Sequence, residues 1–164
     1  MIRFDSLALA GLVALACDGG LQPANDPCPT GICGTITITG TTPDSTDGVF
    51  VLAYATFPQT CNDIPDFLPF PPPEITLGGA TATYTLAVPD GQYEWIVAAW
   101  KKIGTLTLTP ADTAILREAG FYRNPANPSQ PGTVTASGGT DGINFAVDLG
   151  NLHPITDYLT CTVQ

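Results

Sequence analysis

Five cysteines, one histidine and a sparse set of carboxylates and aromatic rings are the residues of this 164-residue chain whose types could do chemistry. Cys17 stands directly behind an uninterrupted apolar run, residues 7–16, and the others are Cys28, Cys33, Cys61 and Cys161. Four cysteines in an oxidising compartment permit two disulfides in three connectivities. The pairing expected is Cys28 with Cys33, closing a small loop that bears Pro29 and Gly31, and Cys61 with Cys161, tying a long loop to the chain end. Zinc is the rival reading, but there is no Cys-x2-Cys pair and His153 is distant from most of the cysteines, so no metal and no cofactor is expected. Catalysis finds little support. His153 precedes Pro154 in a terminal loop, no Gly-x-Ser-x-Gly elbow or phosphate loop is present, and paired thiols leave no cysteine nucleophile. Asp63 and Asp66 could serve glycoside chemistry only if the fold set them across a cleft. The expectation is a chain that is not an enzyme.

The apolar run explains Cys17. As a helix, residues 7–16 span about 15 Å, half the hydrocarbon thickness of a bilayer, which fits the core of an export signal better than a membrane span. Ala14-Leu15-Ala16-Cys17 resembles the lipobox of bacterial lipoproteins, whose cysteine thiol is diacylated and becomes the new N-terminus on cleavage. The family prefers a branched residue where this chain has Ala14, and Asp5 weakens the basic start. The resemblance implies a signal peptide over residues 1–16, a lipid on Cys17 and a tether over 17–33. It also implies an exported, membrane-anchored location, on the outer face of the inner membrane or on the outer membrane. Asp18 resembles an inner-membrane retention signal.

The elements that must position these residues follow from composition and pattern. With 44% apolar residues the chain can bury a core, while 17 Gly, 16 Pro and only 12% charged residues point to short strands joined by turns. A formal net charge of -10 repels phosphate and excludes nucleic acid as a partner. From Asp18 to Trp100 every charged side chain is acidic, and Lys101, Lys102, Arg117 and Arg123 follow together. Asp44-Ser45-Thr46-Asp47-Gly48 lacks the alternating ligands and closing Glu of a calcium loop and reads as a turn. Alternation predicts strands at residues 35–39, 82–88, 93–99, 133–136, 143–149 and 158–163. Residues 49–55 read as a strand apolar on both faces, and 103–109 as a further strand. Pro89-Asp90-Gly91 predicts a hairpin turn between two of them. Thr109, Pro110, Asp112 and Gly120 frame one short helix at about 110–119. The expected fold is all-β, a single antiparallel β-sandwich of seven or eight strands over residues 34–164.

The run Thr83-Tyr84-Thr85-Leu86-Ala87-Val88-Pro89-Asp90-Gly91-Gln92-Tyr93 resembles the strand, Pro-x-Gly-x-Tyr turn and strand of carboxypeptidase-regulatory-like and transthyretin-like domains. Gly34-Thr35-Ile36-Thr37-Ile38-Thr39-Gly40 is similar to that family's first strand. The resemblance implies an accessory module, binding protein or carbohydrate without catalytic residues. The Pro-rich insertion over residues 57–79 departs from the family. Its Phe67 and Phe70 either cover the chain's own sandwich or are offered to a partner. Trp95 shares a face with Tyr93 and Val97 and reads as core. Trp100, beside Lys101 and Lys102 at a strand end, could stack on a sugar ring. Two functions are therefore expected to compete. One is a lipid-anchored binding or scaffold module of the bacterial envelope, meeting a protein of a membrane complex. The other is a carbohydrate-binding module that takes a glycan on exposed aromatics.

Overall fold

The computed structural model describes residues 28–161. Cys17 and its surroundings lie outside the described residues. Twelve strands are present: β1 (Gly31–Thr39), β2 (Thr46–Tyr54), β3 (Thr81–Leu86), β4 (Gly91–Tyr93), β5 (Trp95–Lys102), β6 (Leu116–Phe121), β7 (Arg123–Asn124), β8 (Asn127–Pro131), β9 (Val134–Ala136), β10 (Gly139–Thr140), β11 (Phe145–Asp148) and β12 (His153–Pro154). They form an all-β sandwich. In the first sheet β1 is central, with β3 antiparallel along one side and β10 and β11 on the other. The second sheet runs β2, β5, β6, β12 in space, all antiparallel. Antiparallel pairing predominates, and the exceptions are β1 with β10 and β1 with β11, because the chain crosses between sheets before returning beside β1.

Burial follows the alternation within each strand. Ile32 and Ile36 of β1, Tyr84 and Leu86 of β3 and Phe145 and Val147 of β11 face inward. They meet Val49, Val51 and Ala53 of β2 and Ile96, Ala98 and Trp100 of β5. The sheets approach closely at Gly120 of β6, where a Cβ atom would collide with the backbone carbonyl of Ala146 in β11. The opposite side chains of the second sheet do not face water. Leu52, Tyr54, Trp95, Val97, Ala99 and Phe121 are buried in a second core under Cys61, Ile64, Phe67, Ile155 and Leu159. That explains why residues 49–55 are apolar on both faces: β2 and β5 are sandwiched between the other sheet and a lid of loops.

Several elements differ from the sequence expectation. The domain begins earlier than residue 34: Cys28 is fully buried and β1 starts at Gly31, because the first disulfide and the pairing with Gly139 draw this stretch into the fold. Pro89-Asp90-Gly91 is not a hairpin turn. β3 pairs with β1, whereas β4 pairs with β9 and β5 with β2 and β6, so the chain changes sheets here. The Tyr93 hydroxyl donates to the Pro89 carbonyl at 2.9 Å and braces that corner. The expected helix is a 3₁₀ turn, Pro110–Ala114, with Thr109 and Asp112 forming a capping box. It ends before Leu116 because residues 116–121 pair with β5 instead. Residues 103–109 form no strand. Tyr158 follows a 3₁₀ turn, Ile155–Asp157, and among the described residues the strand expected over 158–163 shows one bridge, between Thr60 and Thr160, its last positions lying outside them.

Candidate functional site

The insertion over residues 57–79 builds the most distinctive surface. It begins with a 3₁₀ turn, Cys61–Asp66, whose Asp63 carboxylate accepts from the backbone N–H groups of Gln59 and Thr60 at 2.9 and 2.8 Å. Those two bonds draw the Asp63 carboxyl below its ordinary range, with burial opposing weakly. Asp63 and Asp66 sit on the same turn and line one polar depression with Thr56 and Gln59.

Beyond the turn, the chain runs along the outer edge of β2 as an irregular extra strand. Leu68 and Ala53 exchange both backbone hydrogen bonds at 2.8 Å, Val51 N–H donates to the Pro73 carbonyl at 3.1 Å and Ile75 N–H to the Val49 carbonyl at 2.7 Å. Pro69, Pro71, Pro72 and Pro73 lack N–H groups, so this added edge offers little to a further strand.

The two phenylalanines separate. Phe67 is 6% exposed and packs edge-on against Tyr54, with ring centroids 6.5 Å apart. Phe70 is 66% exposed and leans on Phe67 at 5.9 Å. Trp100 does not form an external platform. It is 5% exposed, lies in the core between the sheets and donates from Nε1 to Thr46 Oγ1 at 2.7 Å. It is buried because β5 is a central strand, covered on both faces, that runs on through both lysines. Trp95 is core as expected, though it lies in the outer core while Tyr93 lies in the inner one, since the chain corners between them.

Under the lid, between the insertion and the loop after β5, lies a slot whose lining includes Phe50, Leu52, Phe67, Pro72, Leu108 and Leu116. Its volume is about 40 Å³. One water needs roughly 10–15 Å³ on that measure, so the slot suits the end of one aliphatic side chain rather than a sugar ring. Tyr54, Lys101 and Trp95 are among the residues that line it. Lys101 is buried, ion-paired with Asp47, and donates to the Gly104 carbonyl at 2.6 Å. Trp95 Nε1 is buried with no hydrogen-bond partner among the described residues.

The described residues contain two disulfides, one of which holds this surface. Cys28 joins Cys33, with Cα atoms 5.5 Å apart, and Cys61 joins Cys161, at 5.1 Å, the pairs expected from the sequence. The second bridge fastens the start of the insertion to the C-terminal segment, so both halves of the lid are stapled. Such bridges belong to a non-reducing environment. Among the described residues no group of histidines, cysteines and carboxylates could hold a metal, and no helix is long and apolar enough to cross a membrane.

Sequence reasoning missed one polar cluster. Glu118 is buried in β6 and accepts from the Tyr158 hydroxyl at 2.8 Å. His153 lies opposite it in β12, with Nε2 3.2 Å from Asn151 Nδ2. Arg123 stacks over the Phe121 ring at 4.3 Å. Burial pushes the Glu118 carboxyl above its ordinary range, and Tyr158, His153 and Arg123 draw it back in part. No period in the sequence could have paired Glu118 with a tyrosine forty residues on. Comparison with known families, characterised proteins and solved structures finds no match for the chain.

Proposed function

We propose that this chain is a noncatalytic binding module of the bacterial cell envelope, anchored through lipid on Cys17 and serving as an accessory subunit on the outer face of a membrane protein complex. The observation that carries the reading is exposed Phe70 leaning on Phe67, which lines the apolar slot, on a lid held by a disulfide. An exposed ring beside a preformed apolar recess is the usual anchor of a protein contact. The size of the slot favours a protein side chain as occupant over a sugar, and the burial of Trp100 withdraws the aromatic on which the carbohydrate reading depended. The two disulfides agree with an exported location, and the lipobox resemblance supplies the anchor.

The test uses the full chain purified from its native membranes in detergent. Wild type and Phe70→Ala are used to capture partners, read by mass spectrometry. The reading expects a membrane-complex protein retained by wild type and lost with Phe70→Ala at an unchanged melting temperature. Equal capture by both proteins overturns the role of Phe70.

A further inference from the structure

The lid over the outer core is made of two segments distant in sequence. The first contributes Cys61, Ile64 and Phe67, and the second Ile155, Tyr158, Leu159 and Cys161. Ile64 and Phe67 of the first and Ile155 of the second line the same apolar slot. One covalent bond joins the two segments, the bridge between Cys61 and Cys161. Apart from it, the second segment is lightly held. Among the described residues its sheet pairing ends at Pro154. Beyond that point the Thr160 N–H donates to the Gln59 carbonyl at 2.9 Å and the Tyr158 hydroxyl donates to Glu118. The Tyr158 ring rests against Trp95 and Phe121, with centroids 5.7 and 6.3 Å away.

The two bridges differ in how a reductant can reach them. A disulfide is broken by a thiolate that attacks one of its sulfurs, so access decides which bridge reacts. Cys28 and Cys33 are both buried, and the strand that follows Cys28 is paired with β3 and with β10. Cys61 is buried as well, but Cys161 is only partly buried and lies in a segment outside the sheets. The consequences of cutting them differ too. No residue of either lid segment belongs to the inner core, so the sandwich keeps that core when the lid loosens. Segments with few contacts and little backbone pairing open locally, well short of global unfolding.

We propose that the Cys61–Cys161 bridge is a redox latch on the slot, opened by a dithiol while Cys28–Cys33 stays closed. One thiolate of the dithiol attacks the Cys161 sulfur, the S–S bond breaks, and Cys61 leaves as a thiolate that takes up a proton. The second thiol then displaces Cys161 from the mixed disulfide as a thiol. Two electrons have passed to the bridge, and the dithiol ends as a disulfide. With the latch open, Ile155 leaves the lining and the slot widens onto the face of β2 and β5 that carries Leu52, Trp95 and Val97. The latch acts on the same slot as the proposed contact but does not depend on Phe70 or on any partner.

The experiment holds the folded full chain, in detergent, at graded dithiothreitol concentrations. Samples are quenched in acid, unfolded and labelled with N-ethylmaleimide, and the labelled cysteines are mapped by peptide mass. Amide exchange and acrylamide quenching of tryptophan emission are followed in parallel. The expected result is label on Cys61 and Cys161 at concentrations that leave Cys28 and Cys33 unlabelled. Protection of residues 155–160 is then lost while β1 and β5 stay protected, quenching increases because Trp95 is uncovered, and glutathione disulfide reverses all three changes. Cys61→Ser combined with Cys161→Ser is expected to show the open lid without reductant and no response to it, and if that variant does not fold the wild-type readings decide alone. Simultaneous reduction of both bridges overturns the proposal. So does a Cys61–Cys161 bridge that yields only when β1 and β5 also lose protection, or one whose reduction leaves residues 155–160 as protected as before.

Discussion

The Tyr158 hydroxyl donates to Glu118 Oε2 at 2.8 Å, joining the C-terminal half of the lid to an inner strand of the sheet it covers. The carboxylate is buried among rings, with Trp95, Phe121 and Tyr158 in mutual contact nearby. Its cost is electrostatic: burial raises the folded-state titration of Glu118 above that of an unfolded glutamate. A raised carboxyl favours the protonated fold, so its contribution to stability is full below the ordinary Glu range and is lost as pH rises through the folded value. Glu118→Gln keeps an acceptor for Tyr158 and removes the charge. It is expected to be more stable than wild type at pH 7, with the advantage vanishing below about pH 4, the ordinary glutamate range. Urea denaturation of both proteins across pH checks this, and a pH-independent difference would show that Glu118 titrates alike in the folded and the unfolded chain.

Phe67 and Phe70 are expected to answer differently to truncation. Phe67→Ala removes a buried ring from the outer core and should cost about 3–5 kcal/mol. Phe70→Ala removes an exposed ring and should change stability by about 0.5 kcal/mol or less. Thermal melts of the two single variants separate the structural ring from the presented one.

The bridge between Cys61 and Cys161 closes a sequence separation of 100 residues. In the chain-entropy picture a loop of that length contributes about 4–5 kcal/mol. Replacing both residues with serine should lower the denaturation midpoint accordingly, whereas the short Cys28–Cys33 loop should contribute less. Thiol counting on unfolded, unreduced protein is expected to find no free thiol between residues 18 and 164.

Asp112 is buried at the start of its 3₁₀ turn. Burial pushes its carboxyl up, and hydrogen bonds from Thr107 and Thr109 more than offset this, leaving it below the ordinary range. Here the sign is opposite to that of Glu118: the contribution is present above the ordinary Asp range and lost as pH falls through the folded value. Asp112→Ala is expected to cost about 1–2 kcal/mol at pH 7, the range of a lost cap, and the loss should shrink in acid.

Lipid on Cys17 is read by intact mass. Protein purified from membranes should lack residues 1–16 and carry acyl mass on Cys17, and an unmodified N-terminus beginning elsewhere removes the anchor from the proposed function.

What was legible in the residues was local. Alternation marked β1, β3 and β11, turn chemistry marked Pro89 and Gly91, and cysteine count with spacing pointed to both bridges. What was not legible depends on partners distant in sequence. Pro89-Asp90-Gly91 announces a reversal but carries no information on whether the next strand returns to the same sheet or crosses to the other. Trp100 beside two lysines reads as a rim because the sequence cannot show that β5 is central and covered on both sides. Leu116 to Phe121 satisfies helical and strand patterns alike, and pairing with β5 decides between them. Phe67 and Phe70, three residues apart and chemically identical, differ in which of them the fold sets against Tyr54.

The prolines laid along β2 bear on how far association can go. A sandwich with two open edges can add neighbour after neighbour and grow into a fibre. Here one side of the molecule is closed by residues that have no hydrogen to give, so β2 cannot serve as a template for the next chain and growth in that direction ends before it starts.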